Sequence, residues 1–190
     1  MDSIENALIK RAKKGDIQSF TTLVEMYKDK IYNYLFRLTS DRQDAYDLSQ
    51  ETFLRVYTHL DSFNDEARFS PWIYQIASNL GIDHLRKRRA VLYLDEPIGA
   101  EGTLLTQLPS KTPDPSEQVA TGDLQDAVEK SLQCLADEYR IVLVLRYVQE
   151  LSYEEIAAAL QLPVTTVKTR LFRARVGLRA RLMTQGFFNS

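Results

Sequence analysis

The stretch Leu151–Leu182, LSYEEIAAALQLPVTTVKTRLFRARVGLRARL, leaves a chain few ways to fold. Two helical patterns flank a break at Gln161-Leu162-Pro163. Ser152 suits an N-cap, and Glu154 and Glu155 fall in the first turn, where the helix dipole favours carboxylates. Ile156, Ala157 and Leu160 give this helix its apolar face. Pro163 stops it, because proline has no N–H to donate, and proline sits well just before a new helix. In the second helix Val167, Leu171, Ala174, Leu178 and Leu182 recur at helical spacing, a stripe fit for burial. The opposite side carries Thr165, Thr169, Phe172, Arg173 and Val176, with Thr166, Lys168 and Arg170 on its flanks. No acidic residue follows Glu155, while Lys168, Arg170, Arg173, Arg175, Arg179 and Arg181 all fall in the second helix. A tight turn followed by a cationic helix with hydroxyls near its start suits a reader of the DNA major groove. Cations displace counterions at phosphates, and Arg pairs bidentately with guanine. The plainer alternative is a helical hairpin with a solvated basic face. The turn, the polarity switch and the lack of acids together favour DNA.

The net charge of −2 over 190 residues hides this segregation. Residues 1–90 are nearly balanced, with fourteen Lys and Arg against thirteen Asp and Glu. Residues 91–121 set Asp95, Glu96, Glu101, Asp114 and Glu117 against Lys111 alone. Four prolines and two glycines in the same stretch break any period, so it reads as a linker. Its apolar residues Leu92, Leu94, Ile98, Leu104, Leu105 and Leu108 exceed what a spacer needs, which suggests that part of it lies in a groove on a partner. The single cysteine, Cys134, has no partner for a disulfide and reads as a buried thiol in a reducing compartment. The N-terminal stretch is an amphipathic polar helix without the apolar segment of a signal peptide. No apolar run approaches the ~20 residues that span a bilayer. A cytoplasmic protein without membrane insertion is expected.

The remainder is helical by pattern. A short helix over 4–14 ends at Gly15-Asp16. Phe20, Leu23, Val24, Tyr27, Ile31, Leu35 and Leu38 then stripe a long helix to about Thr39. Asp41 suits the N-cap of a third helix over roughly 42–60, with Ala45, Leu48, Phe53, Val56, Tyr57 and Leu60 inward. Its outer face carries Asp44, Asp47, Gln50, Glu51 and Arg55; the three acids step by three and four and share a stripe, either solvated or docking a basic partner. After the polar loop Asp61–Phe69, Ser70-Pro71 is the expected cap and first position of a helix that buries Trp72, Ile73, Ile76, Ala77, Leu80 and Leu85. Asn79, Asp83, Arg86 and Lys87 project elsewhere, and the helix ends in Arg86-Lys87-Arg88-Arg89. Past Gly122 come a helix through Leu124, Val128, Leu132 and Leu135, and a densely apolar one over Glu138–Tyr147. His59 and His84 stand isolated. No spacing suits a metal, no glycine-rich loop suits a phosphate, and no nucleophile–base pair is evident, so neither an enzyme nor a cofactor is expected.

These residues in this order resemble the extracytoplasmic-function group of bacterial RNA polymerase sigma factors. YKDKIYNYLFRL followed by DAYDLSQETFLRVY is similar to the family's region two, FSPWIYQIASNLGIDHLRKRR to its −10 helix, and YRIVLVLRY with the final hairpin to its region four. The resemblance implies an all-α chain of two small helical domains: 1–90, binding core polymerase and melting the −10 element; a linker, 91–121; and 122–190, reading the −35 element through its helix–turn–helix. It assigns Asp44, Asp47, Gln50, Glu51 and Arg55 to the clamp helices of the polymerase β′ subunit, with the β flap as a second contact. The loop residues Phe63, Asn64 and Phe69, with Asn79 and Asp83, match the part that captures a base flipped from the non-template strand. Flipping costs a few kcal/mol, so melting relies on polymerase holding the DNA open. Arg86, Lys87 and Arg88 fall to phosphates, and Thr166, Lys168, Thr169, Phe172 and Arg173 to the −35 duplex. The partners implied are core RNA polymerase, promoter DNA and an anti-sigma factor, free or membrane-anchored. Four positions depart from the family pattern. Tyr46 replaces an acid, Ala136 a proline, Thr165 a glycine and Val176-Gly177 a Glu-Ala pair; glycine inside a helix costs ~1 kcal/mol, so the last helix is expected to fray or bend there. The rival reading is a dimeric helix–turn–helix regulator, which has no use for the acidic stripe.

Overall fold

Side-chain caps decide where three of the helices begin. The computed structural model describes residues 2–94 and 123–187, and among these it is all-α. α1 (Asp2–Ala12) ends in a turn at Gly15, where φ is 87°. Asp16 then caps α2 (Ile17–Thr39), its carboxylate accepting from the Gln18 and Ser19 N–H groups. Ser40, at φ 58°, closes α2, and Asp41 caps α3 (Arg42–His59) by accepting from Gln43 and Asp44. A short 3-10 turn (Leu60–Ser62) leads through a loop into α4 (Phe69–Leu94). Because α4 begins at Phe69, Ser70 lies inside its first turn and is not the N-cap. Pro71 still falls in that turn, where an N–H has no acceptor within the helix.

The second half holds α5 (Asp123–Gln133), α6 (Asp137–Tyr147), α7 (Tyr153–Leu160) and α8 (Val164–Thr184). Ser152 and Glu155 form a reciprocal capping box on α7, at 3.1 and 2.8 Å. Gln161 turns the chain at φ 53°, and Pro163 opens α8. In the first half Ile31, Tyr34, Leu35, Leu38, Ala45, Val56, Ile73 and Ala77 are buried. In the second, Ile141, Val142, Leu145, Ile156, Val167, Leu171 and Ala174 are. Each large aliphatic side chain so buried contributes about 1.5–3 kcal/mol. α4 crosses α2 at Gly81, where a Cβ would stand 3.0 Å from Leu38 Cδ2 and 3.4 Å from Leu35 Cδ2.

Three further expectations change. α8 does not fray at Gly177; the helix runs on to Thr184. The glycine accommodates the α5–α6 turn, since a Cβ there would meet Leu135 Cδ2 at 3.2 Å. Cys134 is exposed, because Leu132 and Leu135 take the buried positions around it. His84 is not isolated but pairs with Asp44. The linker reading, including the groove-binding expectation for Leu92, Leu94, Ile98, Leu104, Leu105 and Leu108, falls on residues whose side chains lie outside the described set. The two halves pack together: α4 lies along α7, and α2 meets α5 and α6. Among the described residues no helix is long and apolar enough to cross a membrane.

Candidate nucleic-acid and partner interfaces

On α8 the buried stripe leaves the opposite face to solvent. Lys168, Thr169, Phe172 and Arg173 are exposed, and Thr166 is half-buried. Phe172, at 62% exposure, is a large ring with nothing over it. Arg170 is committed to Glu138 of α6 at 2.9 Å, whereas among the described residues Arg173 has no acidic partner within ion-pair distance. Lys168 lies 6.0 Å from the centre of the Tyr153 ring, which holds its ammonium beside the start of α7. Thr169 donates its hydroxyl to the Thr165 carbonyl at 2.9 Å. A shallow concavity of about 350 Å³ lies between Glu138 and Tyr139 of α6 and Thr165, Thr166, Thr169 and Arg173 of α8.

The acidic stripe of α3 divides in two. Asp44 is turned toward α4, where its Oδ2 lies 3.0 Å from His84 Nε2 and 3.9 Å from an Arg88 nitrogen. Asp47, Gln50 and Arg55 are exposed, and Glu51 is half-buried. Asp47 accepts from Gln43 at 3.0 Å, and Glu51 pairs with Arg55 at 2.8 Å. Beside them Leu54 and Tyr57 are 57% and 53% exposed. Tyr57 was expected inside; instead it sits at the rim, edge-on to Phe20 at 4.9 Å. An apolar pair next to an acidic strip marks this face for a partner more strongly than charge alone.

The loop before α4 is rigid at its base. Phe63 and Phe69 are 4% and 1% exposed and pack on each other and on Trp72 at centroid distances of 4.9–5.6 Å. Both rings are buried in this structure, where they form the floor under the loop. Lys13 ties the loop to the end of α1, donating to the Phe63 carbonyl at 2.5 Å and to Asp65 at 2.6 Å. Asn64 is exposed, its Oδ1 accepting the Glu66 N–H at 3.0 Å. Along α4, Asn79, Asp83, Arg86, Lys87 and Arg88 are all exposed. Asp83 pairs with Arg86 at 3.1 Å, and Arg88 donates to the Thr39 carbonyl at 3.3 Å, so these cations are loosely oriented.

One surface escaped the sequence. An open apolar groove of about 560 Å³ lies between α5, α6 and α8, lined by Val128, Leu132, Val148 and Leu178 and flanked by Arg175 and Arg179. The exposed Tyr147 and Val148, 56% and 41%, were its only signal.

Two helical bundles, one carrying an acidic outer strip and the other a cationic helix–turn–helix, define a modular duplex-DNA reader built to work with a protein partner. Residues 23–91 match the family model for sigma-70 region 2, and residues 125–178 match that for sigma-70 region 4. The chain is 41% identical to the ECF RNA polymerase sigma factor SigW of Bacillus subtilis, over 96% of this chain and 98% of that one. It is 34% identical to the RNA polymerase sigma-H factor of Pseudomonas aeruginosa, over 90% of each. Among solved structures it is similar to CnrH in complex with the cytosolic domain of CnrY, with a TM-score of 0.71, 25% identity and coverage of 95% of this chain and 98% of that one. It is also similar to the sigma factor RpoE in complex with the anti-sigma factor NepR from Bartonella quintana, with a TM-score of 0.67, 25% identity and coverage of 87% and 98%. The chain belongs to the sigma-70 family, in its extracytoplasmic-function group, a family of transcription initiation factors.

Proposed function

We propose that this sigma factor divides promoter recognition between its halves while the outer face of α3 holds it on core RNA polymerase. The observation that carries the reading is the separation of charge on one chain: an outward acidic strip on α3 and an acid-free cationic face on α8. In this account Asp47, Gln50 and Glu51, extended by Leu54 and Tyr57, dock on the β′ clamp helices, and Asp44 orients α4 through His84 and Arg88. Asn64, Asn79 and Asp83 meet the melted −10 strand, and Arg86, Lys87 and Arg88 meet its phosphates. Thr166, Lys168, Thr169, Phe172 and Arg173 enter the −35 major groove, with Arg173 free to reach a base edge and Lys168 a phosphate. The domain limits 1–90, 91–121 and 122–190 belong to the same reading, supported by family matches that stop at residue 91 and resume at 125. So does an anti-sigma factor acting on this chain in the cytoplasm, supported by the partners of the solved relatives. The apolar groove between α5, α6 and α8 is the surface best suited to the β flap.

The test is to mix the purified chain with core RNA polymerase and resolve the mixture on a sizing column. Co-elution, together with loss of co-elution on Asp47→Ala with Glu51→Ala, is the expected result. A chain that elutes alone, as a dimer that binds palindromic duplex unaided, would replace this reading with the dimeric regulator.

A further inference from the structure

Lys13 grips the loop before α4 on both sides of one residue. Its ammonium donates to the Phe63 carbonyl at 2.5 Å and to the Asp65 carboxylate at 2.6 Å, and it lies 5.6 Å from the centre of the Phe63 ring. Asn64 falls between these two anchor points. An ammonium has three donors and no acceptor, so a carbonyl and a carboxylate both suit it, and a charged donor makes hydrogen bonds roughly twice as strong as neutral ones. Lys13 itself stands on a fixed base. It follows α1 directly, its N–H donating to the Ile9 carbonyl at 2.9 Å, and Ile9 and Ala12 are buried. Tyr27 of α2 donates to Glu5 of α1 at 2.6 Å, which holds α1 on the bundle. Only 18% of the Lys13 side chain is exposed, unlike a solvated surface cation.

The grip decides which atoms Asn64 offers outward. Its backbone carbonyl accepts from the Ala67 N–H at 2.9 Å, and its side-chain Oδ1 accepts from the Glu66 N–H at 3.0 Å. A backbone N–H can donate only to the oxygen of a carboxamide, so the orientation of this amide is set. Its NH2 group is left without a partner among the described residues. Asn64 is exposed, while Phe63 and Phe69 beneath it are buried. A donor group held outward on a fixed turn sorts bases by what their edges present. Thymine and guanine show a keto oxygen where cytosine and adenine show an amino group. A keto base accepts from the Asn64 NH2, whereas an amino base sets donor against donor.

We propose that Lys13 is a positioning residue for base readout at −10: by bracketing Asn64 it holds the carboxamide NH2 toward the extruded base and gives the loop a preference for a keto base, thymine or guanine. This rests on the −10 contact proposed above for Asn64. Lys13 touches no nucleotide in this account and acts through Phe63 and Asp65. It also balances the Asp65 charge beside a polyanion, a separate effect on affinity that is equal for all four bases.

The experiment is competition binding to the full chain in complex with core RNA polymerase. The probes are non-template-strand oligonucleotides that carry each of the four bases at each position of the −10 element. The wild type should prefer thymine or guanine about three- to tenfold at one position, the worth of one hydrogen bond. Asn64→Asp keeps an acceptor for the Glu66 N–H and replaces the outward NH2 by an oxygen, so the preference at that position should pass to cytosine or adenine. Lys13→Ala should abolish the preference there and leave the other −10 positions and the −35 duplex preference unchanged. Lys13→Arg, which can still span the carbonyl and the carboxylate, should restore it. Lys13→Ala with Asp65→Ala removes the charge imbalance, so affinity should recover while the base preference stays lost. An unchanged preference in Lys13→Ala, or equal weakening at every position, would overturn the proposal. So would a double variant that regains the preference, or an Asn64→Asp chain that still selects the same base. If other −10 positions keep their preferences and none answers to Asn64, this inference fails and the functional reading stands. If no −10 position shows a preference, the functional reading itself fails.

Discussion

Phe172 and Arg173 stand side by side on α8, exposed and uncommitted, while neighbouring Arg170 is spent on Glu138. If Arg173 reads a base edge, Arg173→Ala weakens −35 duplex binding by roughly 1–3 kcal/mol and relaxes preference at one position, measured by competition with single-base variants of the site. A uniform loss across all sequences would make it a phosphate contact instead. Phe69 makes the opposite case. Its 1% exposure and its packing on Phe63 and Trp72 give it a structural job. Phe69→Ala should cost about 3–5 kcal/mol in denaturant unfolding. A variant of wild-type stability that failed only in promoter opening would return the ring to the base-capturing set.

Three helices are started by side-chain caps, and two helix contacts are spaced by glycines. Hydrogen bonds from the Asp44 and Gln43 N–H groups hold the Asp41 carboxyl below its ordinary value of 3.8, and the Ser19 hydroxyl and N–H do the same for Asp16. A depressed folded-state pKa means that these caps contribute stability above about pH 3.8, which is lost as pH falls through the folded value. Asn caps almost as well as Asp. Asp41→Asn should therefore leave neutral-pH stability nearly unchanged and flatten its decline below pH 4; an identical acid profile would show that the cap is not formed. Gly81 lies in the α4–α2 crossing, where two leucines confine any Cβ. Gly81→Ala should lose about 1–2 kcal/mol despite the better helix propensity of alanine, because overpacking a core costs more than propensity returns. A more stable variant would mean that Leu38 can move aside. What was legible at this scale was local. Ser152, Asp41 and the stripe Val167–Leu182 act through their own helix, and their signals sit within a few residues. The surroundings of Tyr57 and Gly177 depend on Phe20 and Leu135, which other segments supply, whereas Cys134 is exposed because its own neighbours Leu132 and Leu135 take the buried positions.

At the scale of the whole molecule the order of motifs carried the family, and the segregated charges carried the division of labour. The packing of the two halves on each other had no such signal. Its links, Arg37–Glu129 and Tyr74–Gln149, join residues far apart in the chain, and each looks like an ordinary surface residue by itself. The apolar groove was hidden for the same reason, being shared among three helices. In the function proposed above, one chain held on polymerase reads two separated promoter elements with two different helices. The most direct measurement is transcription by polymerase reconstituted with this chain from a randomised promoter pool, followed by sequencing of the templates used, with wild type and Arg173→Ala in parallel. Two enriched motifs at fixed spacing are expected, of which the upstream one weakens in the variant while the downstream one persists. Enrichment of a single palindromic motif, or equal loss of both motifs, would contradict it.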